Sequence, residues 1–391
     1  MPEKASGRSS RQVMIIRGPL AFILLLFVAL GAVAFGIPGA LWRQPGFAKL
    51  RGGVLEAAGL VTSPPAEKAP SAGWYQVYFT DPRYPDRDSD HHDGIDEYLV
   101  QLIAGAQQSV DVAAYELDLD SVADALLQAK GRGVAVRFVT DSDNADEEAV
   151  RRLEGGGVPV VGDGRGAIMH DKFVVVDGRY VWTGSWNLTV NCTYRNNNNA
   201  ILIDSPDLAR NYQAEFAEMF EQHRFGPKSP ADTPSPQVTV HGTPLESYFA
   251  PEDHVEGRIV AVLRQARKSI RFLAFSFTSQ DLGQALIERA RAGVAVSGVV
   301  EKRGSEEEYA QLAPMRQAGL DVLTDGNPYV MHHKVFIVDE EIVITGSYNS
   351  TKSADRDNDE NILIIHNPDI ARQYLGEFER VRQRAGEAKG S

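Results

Sequence analysis

"SVDVAAYELDLDSVADALLQAKGRGVAVRFV", residues 109 to 139, returns as "SIRFLAFSFTSQDLGQALIERARAGVAVSGVV", residues 269 to 300. Each copy opens on an apolar strand, passes through an amphipathic helical stretch and closes on a second apolar strand. Gly133-Val134-Ala135-Val136 and Gly293-Val294-Ala295-Val296 stand at the same offset from the start of each copy. One supersecondary plan is therefore used twice in the chain. The alternation continues through "EEAVRRLEGGGVPVV" and "EEYAQLAPMRQAGLDVL", each read as a helix ended by glycine and followed by a strand. Strand-helix-strand order at these lengths predicts an α/β fold, with parallel strand pairs and helices packed on the sheet faces. Each half ends on two adjacent apolar runs, "KFVVVDGRYVWTG" and "KVFIVDEEIVITG", whose centres suit a tight hairpin.

The repeat extends into the polar residues. "MHDKFVVVDGRYVWTGSWN" (169–187) and "MHHKVFIVDEEIVITGSYN" (331–349) share the pattern H-x-K-x4-D-x6-G-S-x-N. His170, Lys172, Asp177, Gly184, Ser185 and Asn187 thus pair with His332, Lys334, Asp339, Gly346, Ser347 and Asn349. On a strand, a spacing of two turns histidine and lysine to one face. The Gly-Ser turn after the hairpin can return a hydroxyl and an asparagine amide beside them. Lysine and asparagine supply fixed donors for the non-bridging oxygens of a phosphodiester. Two histidines supply a nucleophile and a general acid, provided one is neutral while the other is protonated. One copy holds a single histidine, so both copies are needed for one site.

This doubled pattern resembles the phospholipase D superfamily, over about residues 74 to 385. The resemblance implies two tandem phospholipase D-like α/β/α sandwich halves, related by a pseudo-twofold axis with both histidines at their interface, and no metal or other cofactor. It implies His170 as nucleophile, forming a phosphohistidine, and His332 as the acid that protonates the leaving alcohol. Lys172, Lys334, Asn187 and Asn349 would hold the phosphate, with Ser185 and Ser347 supporting them; Asp177 and Asp339 would stabilise the hairpins. The family has an acidic residue after the Gly-Ser turn that orients the partner histidine. Glu360 fills that place in the second half, and Asn199 is read as its equivalent in the first. An amide stabilises an imidazolium less than a carboxylate does, so the two histidines are expected to differ.

Outward from the repeats, "GPKSPADTPSPQ" (226–237) separates half 74–225 from half 238–385. Before them come a basic segment (1–17), an uncharged run (18–41) and a small-residue linker (42–73). The run is long enough, as a helix, to span a hydrocarbon core of roughly 30 Å. It reads as one transmembrane anchor with an exported body, or as a cleaved signal peptide leaving the body secreted. The single cysteine, Cys192, excludes an internal disulfide framework. Asp86, Asp88, Asp90 and Glu97 have calcium-loop spacing, but His91 stands where such a loop requires glycine, so a solvated acidic loop before a helix near Gly94 is expected. His333 is expected on the strand face opposite His332 and Lys334. Trp186 and Tyr348 could line the substrate mouth or pack the core.

Phosphodiesters occur in both lipids and nucleic acids, so the motif leaves the substrate open. The net charge of −13 opposes the phosphate attraction on which nucleic-acid binders rely, and a membrane anchor would favour membrane phospholipid. Hydrolysis of phospholipid head groups is the expected activity. The alternatives are an endonuclease acting on nucleic acid, a phosphatidyl transferase of cardiolipin synthase type and a non-enzymatic phosphate-binding scaffold. No obligate protein partner is evident.

Overall fold

The computed structural model describes residues 73–390. The segments 1–17 and 18–41, and nearly all of 42–73, lie outside the described residues. Among the described residues no helix is long and apolar enough to cross a membrane. The described residues belong to one compact unit.

The first sheet holds β1 (Tyr75–Phe79), β2 (Ser109–Ala114), β3 (Ala135–Thr140), β4 (Val160–Gly162), β5 (Lys172–Val176), β6 (Tyr180–Gly184) and β7 (Asn199–Asp204). Its order is β1-β7-β6-β5-β2-β3-β4. The second holds β8 (Gln237–Val240), β9 (Thr243–Ala250), β10 (Ser269–Ala274), β11 (Ala295–Val300), β12 (Asp321–Thr324), β13 (Lys334–Val338), β14 (Ile342–Gly346) and β15 (Glu360–His366). Its order is β12-β11-β10-β13-β14-β15-β9-β8. The repeated strand-helix-strand units give parallel pairs, β2 with β3 and β10 with β11. The paired apolar runs give the antiparallel hairpins β5–β6 and β13–β14. Both hairpin turns place two successive residues at positive φ, Asp177-Gly178 and Asp339-Glu340, the backbone twist that suits a tight hairpin.

In the first half, α1 (Ile95–Ala104), α2 (Asp120–Gly131) and α3 (Glu148–Gly155) share a core cluster with one face of the sheet. The second half repeats this with α5 (Val255–Gln265), α6 (Gln280–Arg291) and the shorter α7 (Leu312–Gln317). The helix expected to begin at Glu307 is confined to α7: Pro314 has no N–H to donate, so it fits only the first turn of a helix. A short α8 (Lys352–Arg356) precedes β15. The opposite sheet faces meet at a shared core with α4 (Pro206–Gln222) and α9 (Pro368–Gly390). That core joins Phe173, Ile203 and Tyr212 of the first half to Val335, Leu363 and Tyr374 of the second. The halves are thus fused through their apolar surfaces. The proline-rich stretch between them is tied down, with Gly226 N–H donating to Asp359 and Asn211 bonded both ways to Ser235.

Candidate active site

His170 and His332 each stand just before a strand that begins at lysine, β5 and β13. The backbone approaching each is held by the other half. His170 N–H donates to Asp359 O at 2.9 Å, and His332 N–H to Asn197 O at 2.9 Å. The side chains are exchanged in the same way. His170 Nδ1 lies 2.8 Å from Glu360 Oε2, and His332 Nδ1 lies 2.9 Å from Asn198 Oδ1 and 3.1 Å from Ser185 O. Both acceptors of His332 require a proton on Nδ1, which leaves Nε2 for chemistry.

The residue facing His332 is therefore Asn198, which corrects the equivalence assigned to Asn199. Ser185 Oγ donates to Asn198 as Ser347 Oγ donates to Glu360, across the same sequence separation of 13. Asn199 pairs instead with Asn361. Asn361 accepts from Thr183 and donates to Asp171, while Asn199 accepts from Thr345 and lies 3.0 Å from His333 Nδ1. These two asparagines are buried struts between the halves.

Lys172 Nζ donates to His170 O at 2.7 Å and Lys334 Nζ to His332 O at 2.9 Å, which folds each ammonium back beside its histidine. The ring of Tyr115 packs edge-on to His170 and lies 5.3 Å from Lys172 Nζ; Phe275 does the same for His332, 4.7 Å from Lys334 Nζ. Neither ring was singled out in the sequence, although both follow the repeated strand directly. Asn187 is buried and Asn349 half-buried, each with its carbonyl oxygen lacking a partner among the described residues.

The tight Gly-Ser turns explain their glycines. A Cβ on Gly184 would come within 2.3 Å of Asn199 O, and one on Gly346 within 2.2 Å of Asn361 O. Asp177 and Asp339 lie away from the histidines. Each carboxylate accepts three backbone N–H groups, from Gln107, Gln108 and Ser109 or from Arg267, Lys268 and Ser269. Those bonds hold each carboxyl below the ordinary range although burial opposes them. Trp186 and Tyr348 are buried in the two outer cores. Asp86, first of the calcium-spaced carboxylates, is occupied by His91 and Arg195.

Burial dominates the electrostatics. It lowers His170 and His332 well below the usual imidazole value, and Lys172 and Lys334 push in the same direction. It also brings Lys172 down to about 8 and Glu360 up to about 8. A phosphodiester anion entering here would offset the two ammonium groups and restore basicity to both imidazoles.

Behind the site the halves differ sharply. His333 is buried against Glu377, which also pairs with Arg380. The matching place in the first half holds Asp171, Glu215 and Glu218, with Glu252 of the second half acting on Glu215 and Glu218 as a further like charge. Burial raises Asp171 and Glu252 to about 7, and like charges add to the effect.

The cardiolipin synthase, PLD-like domain family matches residues 99–220 and 259–382. The mitochondrial cardiolipin hydrolase of Homo sapiens is 38% identical over 124 residues, 32% of this chain and 49% of that one. The phospholipase D of Rickettsia typhi is 33% identical over 131 residues, 34% of this chain and 64% of that one. The chain thus spans about half to two thirds of the length of these curated relatives. Among solved structures, phosphatidylserine synthase from Haemophilus influenzae Rd KW20 aligns over 80% of this chain and 86% of its own, with a TM-score of 0.58 at 14% identity, a likeness of fold.

Proposed function

This chain belongs to the PLD-like domain family, and from that premise we propose that it is a phosphodiesterase which hydrolyses phospholipid head groups through a phosphohistidine. The supporting observation is the reciprocal exchange at the site: each half supplies a histidine and the other half supplies the group that fixes its Nδ1, so two Nε2 atoms are presented beside two ammonium groups.

In the first step, Nε2 of His170 attacks phosphorus and the bond from phosphorus to the head-group oxygen breaks. His332 delivers its Nε2 proton to that oxygen. Lys172, Lys334, Asn187 and Asn349 hold the non-bridging oxygens, where fixed donors stabilise developing charge without reorganising. In the second step, water attacks phosphorus and gives a proton to His332 as the P–N bond breaks. Phosphatidic acid leaves, and both histidines return to their starting states. Glu360 balances the positive charge on His170 while the phosphohistidine exists. Residues 18–41 are assigned as the element that keeps the exported body at the bilayer.

The test uses the full-length chain with mixed phospholipid vesicles, with single-stranded DNA as the competing substrate. Phosphatidic acid should form, and His170→Ala or His332→Ala should each reduce turnover by at least about 10³-fold while leaving the melting temperature unchanged within a few degrees. Substantial turnover by either variant would reject the two-histidine mechanism. Strand cleavage without lipid turnover would replace the lipid reading with a nuclease.

A further inference from the structure

The two walls beside the histidines are built from equivalent segments with different chemistry. Tyr115-Glu116-Leu117-Asp118 follows β2, and Phe275-Ser276-Phe277-Thr278 follows β10. Leu117 bridges to Leu188 and Phe277 to Ser350, which fixes the two segments in matching positions. Glu116 on one wall thus stands where Ser276 stands on the other. Beyond Ser276 lies a cavity of about 120 Å³, lined by Phe275, Phe277, Val300, Arg303, Tyr309 and Leu312 among others.

The carboxylates near Glu116 have structural work. Glu147 accepts Leu117 N–H, Asp118 accepts Val190 N–H, and Asp141 accepts the N–H groups of Asp143 and Met169. Glu116 accepts from no backbone group among the described residues. Its one hydrogen-bond contact there is Asn187 Nδ2, at 3.4 Å; burial raises its pKa above the ordinary range, Lys172 opposes that rise, and Glu147, Asp118 and Asp141 add to it. Asn187 is only 6% exposed, yet its Oδ1 has no partner among the described residues. A half-buried carboxylate and an unspent amide oxygen therefore converge at the edge of the phosphate position. A carboxylate so placed repels an incoming phosphate, a cost that no structural bond of its own offsets. A substrate bearing a cationic donor beside its phosphate would use both acceptors.

We propose that Glu116 is the specificity-determining residue of this site, and that it selects diesters whose alcohol portion carries an ammonium group. This rests on the phosphodiesterase reading above. An ammonium two carbons from the ester oxygen is within one side chain's reach of phosphorus, so it can meet Glu116 and Asn187 Oδ1 while Lys172 and Lys334 hold the phosphate. Diesters without a cation, including nucleic-acid backbones, lack the group that would neutralise this wall.

The test compares phosphatidylethanolamine with phosphatidylmethanol, in vesicles otherwise identical, for the full-length chain and its Glu116→Gln, Glu116→Asp and Glu116→Lys variants. Phosphatidic acid is the common product. The unaltered chain should favour phosphatidylethanolamine by about tenfold or more in kcat/KM, the size expected of one charged hydrogen bond. Glu116→Gln should bring the ratio close to one, Glu116→Asp should keep part of the preference, and Glu116→Lys should reverse it. An unchanged ratio in Glu116→Gln overturns the proposal, as does a parallel fall on both lipids, which would make Glu116 a support for Asn187. Equal rates in the unaltered chain overturn the selectivity and leave the lipid reading intact. Turnover of neither lipid sinks both.

Discussion

Replacing Asn198 with aspartate would place a carboxylate where an amide now lies 2.9 Å from His332 Nδ1. At present burial, with Lys334, Lys172 and His170, holds the His332 imidazole pKa well below its ordinary value, and its Nδ1–H meets only neutral acceptors, the Ser185 carbonyl and the Asn198 amide oxygen. A full opposite charge at this distance raises an imidazole pKa by about 1–3 units. Burying that carboxylate consumes part of the gain, so about 1–2 units is expected, at 1.36 kcal/mol per unit. If His332 is the acid, activity requires its protonated form and falls as pH rises through its pKa. Raising that pKa moves the alkaline limb of the kcat profile upward by about 1–2 pH units. The assay is initial rate against pH with one phospholipid at saturating concentration, for the unaltered chain and Asn198→Asp. A stationary alkaline limb would refute the assignment. Upward movement of the acidic limb instead would show that His332 must be neutral, and the nucleophile would then be His332.

Two further outcomes follow from the packing. Asp171 and Glu252 have folded-state pKa values raised to about 7, so the stability they allow is full below the ordinary carboxyl range near pH 4, is lost progressively as pH rises to about 7, and levels off above it. Glu252→Gln should therefore raise the melting temperature more at pH 8 than at pH 5; equal changes at both would show that the carboxyl cluster does not titrate with folding. Gly346→Ala should destabilise by about 3 kcal/mol, because its Cβ meets backbone at 2.2 Å and φ is +151°, and an unaltered thermal midpoint would remove the close-approach explanation.

Much of the frame is visible in sequence because two periodic signals coincide. The strand-helix-strand repeat predicts the parallel pairs, and the valine and isoleucine runs around Asp177 and Asp339 predict the hairpins. The histidines and lysines are legible because they recur at one spacing. The sequence does not index the partner of His332 to a single residue, because "NNNN" at 196–199 offers four identical side chains. Apolar character cannot index such a run. The separation of 13 from Ser185, matching that from Ser347 to Glu360, is the signal that sets the register. Tyr115, Phe275 and Glu116 carry no local signal, because their place beside the histidines depends on which sheet edge faces them. The crowding of Asp171, Glu215 and Glu252 joins residues from separate elements and both halves, so no local pattern announces it.

The exchange of histidine partners between halves also shapes how the duplicated halves can diverge. The Nδ1 of His332 is held by a side chain 134 residues earlier, and that of His170 by one 190 residues later. A substitution near the Gly-Ser turn of one half is therefore felt chemically in the other half. Neither copy is wholly self-contained: a change in the group that holds one histidine's Nδ1 is written into the half that does not carry that histidine. The present difference between Asn198 and Glu360 is such a record, two inherited positions drifting apart while the histidines they govern keep the same letter.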